Sequence, residues 1–283
     1  MISVKTSQKI AKTALWIAGI TTVLVLLMVI GYVMFQGLHS ITWEFLTQKP
    51  KKMGAAGGIF PVIVSTMYFT LLTLAIATPI GVGAAIYLTE YTRQGKITKV
   101  IRFGTEALAG IPSIVFGLFG FAFFVILLEP ITGGWSLLSG SLTGATMILP
   151  TLIRTSEEAI KTVPISYREG SLALGATKWQ TICKVVLPSA LPGIVTGVIL
   201  SIGRVIGETA ALMLTLGGSM RLPTSIFDPA RTMSMHLYLV ALEVGTQEAL
   251  NKAFGTAAVL IITIFIINMV ANQVLKRFVS RMS

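Results

Sequence analysis

Six stretches of about twenty or more mostly apolar residues, each long enough to cross a bilayer, decide what this chain can become. They fall at roughly 14–36, 61–88, 107–128, 137–160, 187–216 and 255–275. In hydrocarbon no water satisfies backbone N–H and C=O groups, so a segment of this kind closes its hydrogen bonds internally as a helix. Only 12% of the residues are charged, about half the fraction of an ordinary soluble domain, and 54% are hydrophobic. The expected fold class is all-α: a polytopic membrane protein with six transmembrane helices.

The first stretch follows Lys5, Lys9 and Lys12. Its apolar run is longer than the h-region of a secretory signal, and no small-x-small cleavage site follows, so it reads as a retained anchor. Six spans put both termini on one side. With Arg154 and Arg204 set aside as intramembrane residues, fourteen Lys and Arg fall on the side of the termini. The first three are Lys5, Lys9 and Lys12; then come Arg93, Lys96, Lys99, Arg102, Lys161, Arg168, Lys178, Lys184, Lys276, Arg277 and Arg281. Six (Lys49, Lys51, Lys52, Arg221, Arg231 and Lys252) fall on the other. Loops rich in Lys and Arg stay in the cytoplasm, so both termini are expected there, with larger external loops at 37–60 and 217–254. The net charge of +11 is absorbed by this asymmetry; no basic run is interleaved with aromatics as a nucleic-acid surface requires.

Cys183 is the only cysteine, which excludes an intrachain disulfide and a thiolate metal cluster. His39 and His236 lack ligand spacing and read as loop residues. Pro79, Pro112, Pro150 and Pro192 interrupt the spans, and such breaks are tolerated where protein or a water-lined cavity satisfies the freed groups. Gly81-Val82-Gly83 lacks the third glycine of a dinucleotide loop and reads as a packing site. Gly193 with Gly197, and Gly203 with Gly207, are small-x3-small pairs that let helices approach.

The stretch EGSLALGATKWQTICKVVLP, residues 169–188, sits on the cytoplasmic side. Ser166 and Glu169 match the S/T-x-x-E/Q capping box, Pro164 blocks continuation from the preceding span, and a helix is expected to begin near Tyr167. Gly175 suits a left-handed residue that ends it. Thr177 and Gln180 repeat the capping pattern and start a second helix that feeds the span near Pro188. The result is a locally specified knuckle that presents Leu172 and Leu174 outside the bilayer.

Two spans carry charge. Arg204 has Glu208 four residues later, and Arg154 has Glu157 three residues later with Glu158 adjacent. An arginine inside the membrane must face protein or water and find counter-charge, and either pair would also serve to fix helix register. Guanidinium groups offer planar two-point hydrogen bonding to a tetrahedral oxyanion, and nearby carboxylates keep the hold weak enough for release.

The run Glu169, Gly170, Ser171, three residues (Leu172, Ala173, Leu174), Gly175, nine residues beginning with Ala176, then Val185, Val186, Leu187, Pro188 resembles the E-A-A-x3-G-x9-I-x-L-P motif of permease subunits of ABC importers. Gly170 and Ser171 stand for the two alanines and Val185 for the isoleucine. The segments AIYLTEY at 85–91, GIPSIVFGLFG at 110–120, EGSLALGAT at 169–177 and GRVIGETA at 203–210 resemble the phosphate branch of that family. The resemblance covers about 57–275. It implies a type I importer permease domain there, preceded by a tail, one helix and an external loop in 1–56 and followed by a cytoplasmic tail in 276–283.

Further expectations follow from that resemblance. Residues 169–176 would dock onto a cytoplasmic ATPase, and Arg154, Glu157, Arg204 and Glu208 would line the substrate pathway. The chain has no G-x4-G-K-[ST] phosphate loop, so ATP and Mg2+ would be bound by ATPase partner subunits and this chain would bind no cofactor. A second, related permease chain and an external phosphate-binding protein are the other implied partners. Sulfate, molybdate or an amino acid remain alternative substrates, since the docking motif faces the ATPase. An intramembrane enzyme is a rival of another class. No H-E-x-x-H pattern appears, however, and an arginine lies within one turn of each candidate carboxylate, poor company for a general acid.

Overall fold

A computed structural model describes residues 4–92, 95–243 and 245–279. Arg93 and Arg281, both counted above among the cytoplasmic cations, lie outside the described residues. The first helix, α1 (Val4–Leu38), keeps its apolar side chains exposed. It touches the bundle through its far end, where Tyr32 meets Phe254 edge to face with centroids 5.9 Å apart. A short α2 (Trp43–Thr47), capped by the Thr42 hydroxyl, and a two-residue hairpin of β1 (Pro50–Lys51) and β2 (Ala56–Gly57) fill the first expected external loop.

Helix α3 (Phe60–Ile86) runs through Pro79 and ends in a π-helical turn over Tyr87–Tyr91. The third expected span is broken. Helix α4 (Lys96–Ala109) stops before Gly110-Ile111-Pro112, and α5 (Ser113–Gly120), extended by π-helical turns over Phe121–Leu127, leaves at 104° to it. Proline disfavours the helical region for the residue before it, so Ile111 cannot carry the helix across. A single turn, α6 (Glu129–Thr132), precedes α7 (Leu137–Lys161), the helix around which the others gather.

The N-terminus of α7 is satisfied from two directions. The Ser136 hydroxyl accepts from the Ser139 N–H, while the carbonyls of Asp228 and Ile226 accept from the N–H groups of Leu137 and Leu138. Asp228 is itself fixed: its carboxylate accepts from the Thr224 N–H and hydroxyl and the Ser225 N–H, which holds its pKa below the ordinary value. Along α7 the hydroxyls of Thr143 and Thr155 donate to the carbonyls four residues back, which hides polar groups from an apolar surrounding.

After α7 come α8 (Ile165–Ala173) and α9 (Lys178–Thr181). From α9 the chain continues through a π-helical turn at Ile182–Val186 into α10 (Leu187–Ile206). The fifth expected span stops at Ile206 and resumes as α11 (Ala210–Thr215), because Gly207, Glu208 and Thr209 leave the helix. A loop leads to α12 (Met233–Glu243) and α13 (Gln247–Val279), which packs against α1, α10 and α12. His236 is a correction to the sequence expectation. It is no loop residue but lies buried on α12, under Gly54 of the first external segment.

Two apolar clusters are strung along α7. The upper one joins Phe69 and Ala77 of α3, Phe116 of α5, Met147, Ile148 and Leu152 of α7, and Leu212 of α11. The lower one joins Ala85, Ala159, Ile160, Val186, Ala190 and Ile194. Close approach uses small residues: a Cβ on Gly81 would meet that of Leu152 at 2.9 Å, and one on Gly193 would meet that of Ala159 at 2.6 Å. Gly197 likewise abuts Thr155, whereas nothing lies near Gly203, so only the first small-x3-small pair is a packing surface.

Among the described residues four helical segments are long and apolar enough to span a membrane: Gln8–Leu38, Phe60–Tyr91, Lys178–Ile206 and Gln247–Gln273. The bent pair Thr98–Ala109 and Ser113–Leu127 makes a fifth. The fourth expected span, α7, is long enough, at about 1.5 Å per residue, but carries Arg154, Glu157, Glu158 and Lys161. Surrounded by its neighbours, it need not be apolar all round.

Candidate functional site

The charged end of α7 forms one wall of a cavity of about 300 Å³ whose other wall is α4. Helical spacing sets Arg154, Glu157, Glu158 and Lys161 within two turns. Glu157 is 6% exposed and takes a cation from each side: Arg102 Nη2 of α4 and Lys161 Nζ of its own helix, both at 2.6 Å from Oε1. Two cations on one buried carboxylate are the arrangement that tolerates burial, since a lone ion there would be costly. Arg102 is not fully satisfied by this, because its Nε is buried and has no hydrogen-bond partner.

The expected pairings are therefore corrected. Arg154 does not pair with Glu157. It reaches Glu158 instead, Nε to Oε1 at 3.2 Å, with both side chains about two-thirds exposed. At i,i+4 a long side chain overlies the next turn, and Glu157 is already engaged. Arg204 does not pair with Glu208 either. The helix ends at Ile206, so one further turn never forms. Arg204 points to α7, where Nη1 donates to Thr151 Oγ1 at 3.5 Å, a long contact onto a residue that lines the cavity. Glu208 is buried in the break; its carboxylate accepts from the Ala211 N–H at 3.1 Å and its carbonyl accepts from Ser234 Oγ. It caps α11 rather than facing the cavity.

The structure thus brings Arg154 and Glu157 to one cavity, places Arg204 against its wall and leaves Glu208 outside its lining. It adds Arg102, Lys161 and Glu106. Sequence reasoning assigned Arg102 and Lys161 to loops. Lys161 at i+4 from Glu157 was a readable signal, whereas nothing local tied Arg102 to a carboxylate 55 residues on.

The second feature is the knuckle. The expected capping box of Ser166 and Glu169 does not form: Pro164 is the cap residue, α8 starts at Ile165, and Ser166 already lies in its first turn. Proline pre-sets the extended exit at this position, so no side-chain cap is used. The far end follows expectation. Gly175 has φ +81°, its N–H donates to the Leu172 carbonyl and that of Ala176 to the Ser171 carbonyl, the two bonds of a Schellman ending. Thr177 and Gln180 form the reciprocal capping box of α9. Glu169, Gly170, Leu172, Ala173 and Gly175 are exposed, Ser171 and Ala176 half-buried, and Leu174 is 90% exposed. The Ser171 and Thr181 hydroxyls meet at 2.9 Å and lock the two short helices together. Helix α8 has no buried residue and displays Leu172 and Leu174.

The family model described as "Binding-protein-dependent transport system inner membrane component" matches residues 77–283. The chain is 34% identical over 282 residues to a probable ABC transporter permease protein YqgI of Bacillus subtilis, covering 95% of each chain. It is 30% identical over 277 residues to phosphate transport system permease protein PstA 1 of Mycobacterium tuberculosis, covering 96% of this chain and 89% of the other. Among solved structures, a chain of a bacterial alginate ABC transporter aligns with TM-score 0.67 at 15% identity, over 96% of this chain and 97% of that one. One from the MetNI methionine ABC transporter aligns with TM-score 0.58 at 19% identity, over 78% and 94%; at these identities the likeness concerns the fold. The chain belongs to the binding-protein-dependent transport system inner membrane components, the multi-pass type 1 permeases of ABC transporters.

Proposed function

We propose that this chain is the translocating permease subunit of an ATP-driven importer of inorganic phosphate. The observation that carries the reading is the α4–α7 cavity, lined by Arg102 and by Arg154, whose side chain is about two-thirds exposed. Guanidinium forks match tetrahedral oxyanions. Three acidic side chains, Glu106, Glu157 and Glu158, offset the cations so that an anion passes without being trapped. Relatives named as phosphate permeases support the substrate.

In this reading Arg102, Arg154 and Arg204 hand the anion along, and Glu157 positions Arg102. The knuckle at 169–176 sits in an ATPase subunit, which holds ATP and Mg2+ and performs the hydrolysis. A second, related permease chain completes the passage, and an external phosphate-binding protein delivers the ion. Both termini and the knuckle face the cytoplasm. The test is radiolabelled phosphate uptake into vesicles bearing Arg102→Ala or Arg154→Ala complexes that still assemble, with sulfate as competitor. Wild-type rates in both variants, or equal competition by sulfate, would remove phosphate from the account.

A further inference from the structure

Helix α8 contains no buried residue, so apolar packing cannot hold it to the bundle. What holds it is a set of polar ties that converge on the end of α3. Arg168 of α8 donates from Nε and Nη2 to one carboxylate oxygen of Glu90, at 3.0 and 2.8 Å. The same guanidinium donates from Nη1 to the Val163 carbonyl at 2.7 Å and from Nη2 to the Ile160 carbonyl at 3.0 Å. Lys178, on α9, donates from Nζ to the backbone carbonyl of Glu90 and lies over the Tyr91 ring, 4.8 Å from its centroid.

The logic of these contacts is that of helix ends. The last carbonyls of a helix lack partners and carry the negative end of its dipole, so cations settle there. Arg168 serves the end of α7 and Lys178 the end of α3. The Glu90 carboxylate adds a full charge where Arg168 can grip both helices at once. Both halves of the knuckle are thus fastened to one residue, 78 positions before Arg168 in the chain.

This fastening also borders the charged cavity. A second cavity, about 610 Å³, is lined by Glu90 and Arg168 together with Arg102 and Lys161, the two cations that hold Glu157. A displacement of α8 therefore has a short path: through Arg168 to Glu90 and α3, and from α3 to α7, along which it packs.

We propose that Glu90 is the anchor that converts movement of the knuckle into movement of α3, with Arg168 as its grip and Lys178 as a second tether; this rests on the ATPase-docking role proposed above. Glu90 and Arg168 are positioning residues. Their effect is on how much transport each hydrolysis yields.

The experiment uses the assembled transporter in proteoliposomes and measures inorganic phosphate carried and ATP hydrolysed in the same sample. In Glu90→Gln and Arg168→Gln, phosphate carried per ATP is expected to fall by about fivefold or more, with hydrolysis maintained. The double variant is expected to be no worse than the poorer single one, because both remove the same link. If Arg168→Gln does not assemble, Arg168→Lys keeps the charge but gives up the two-point grip, and the same fall in ratio is expected. An unchanged ratio overturns the anchor, whether hydrolysis and transport are both intact or fall in proportion. If the wild-type complex carries no phosphate with ATP, the functional reading fails first, and the ratio in the variants is not what decides it.

Discussion

The lower end of α7 and the knuckle that follows it are adjacent in the chain but are specified in opposite ways. The knuckle owes its shape to neighbours within a few residues: Pro164 at its start, Gly175 at its turn, Thr177 and Gln180 at its second helix. The charged end of α7 owes its arrangement to Arg102, on a helix that the sequence alone does not bring near. One region is a rigid shape whose first helix has no buried residue, the other a half-buried balance of charges. Rigidity made locally suits the partner contact proposed for the knuckle. A balance made between helices depends on where those helices sit.

The sharpest way to break that contrast is at Arg102. Arg102→Ala should lower phosphate uptake by about tenfold or more, the scale of a lost charge-assisted hydrogen bond, while leaving the knuckle and ATPase association intact. Uptake in vesicles together with copurification checks both halves. Next in size is packing beneath the charges. Gly193→Ala pushes a methyl into Ala159 and should cost about 1–3 kcal/mol, whereas Gly203→Ala, with open space around it, should stay within about 0.5 kcal/mol. Thermal unfolding of the detergent-solubilised complex distinguishes the two.

Gly175→Val comes third. Its Cβ would meet nothing within 4 Å, so the penalty is purely that of a β-branched residue at φ +81°, about 1–2 kcal/mol. Transport per ATP should fall while membrane insertion is normal, and Gly175→Asn should recover most of the loss. The smallest effect is at Gln180→Ala, which removes half of a capping box for about 0.5–1 kcal/mol. Hydrogen exchange at the start of α9 should quicken with little change in uptake. Together these set a locally made shape against a tertiary balance: the last two should leave the charged cavity alone, and the first should leave the knuckle alone.

The same contrast explains what could be read before the structure. The helical class, the turn at Gly175 and the cap at Thr177 follow from short-range rules, and all three are present. The pairings of Arg154 with Glu157 and Arg204 with Glu208 also looked short-range but are absent, because Glu157 is claimed by Arg102 and Lys161 and because α10 ends before Glu208. Ser166 and Glu169 matched a capping pattern, yet Pro164 had already set the helix start. The bend at Gly110-Ile111-Pro112 was marked by its proline, though not its 104° consequence. Likewise, Arg168's hold on Glu90 leaves no trace in spacing, because it depends on how the ends of α3 and α7 lie side by side.

The most direct test of the whole account is phosphate accumulation in proteoliposomes containing the purified complex, with ATP confined to the compartment that the knuckle faces. Accumulation that requires ATP on that side and collapses in Arg102→Ala is the result expected. Uptake that proceeds without ATP, or that is unaltered in Arg102→Ala, would contradict it.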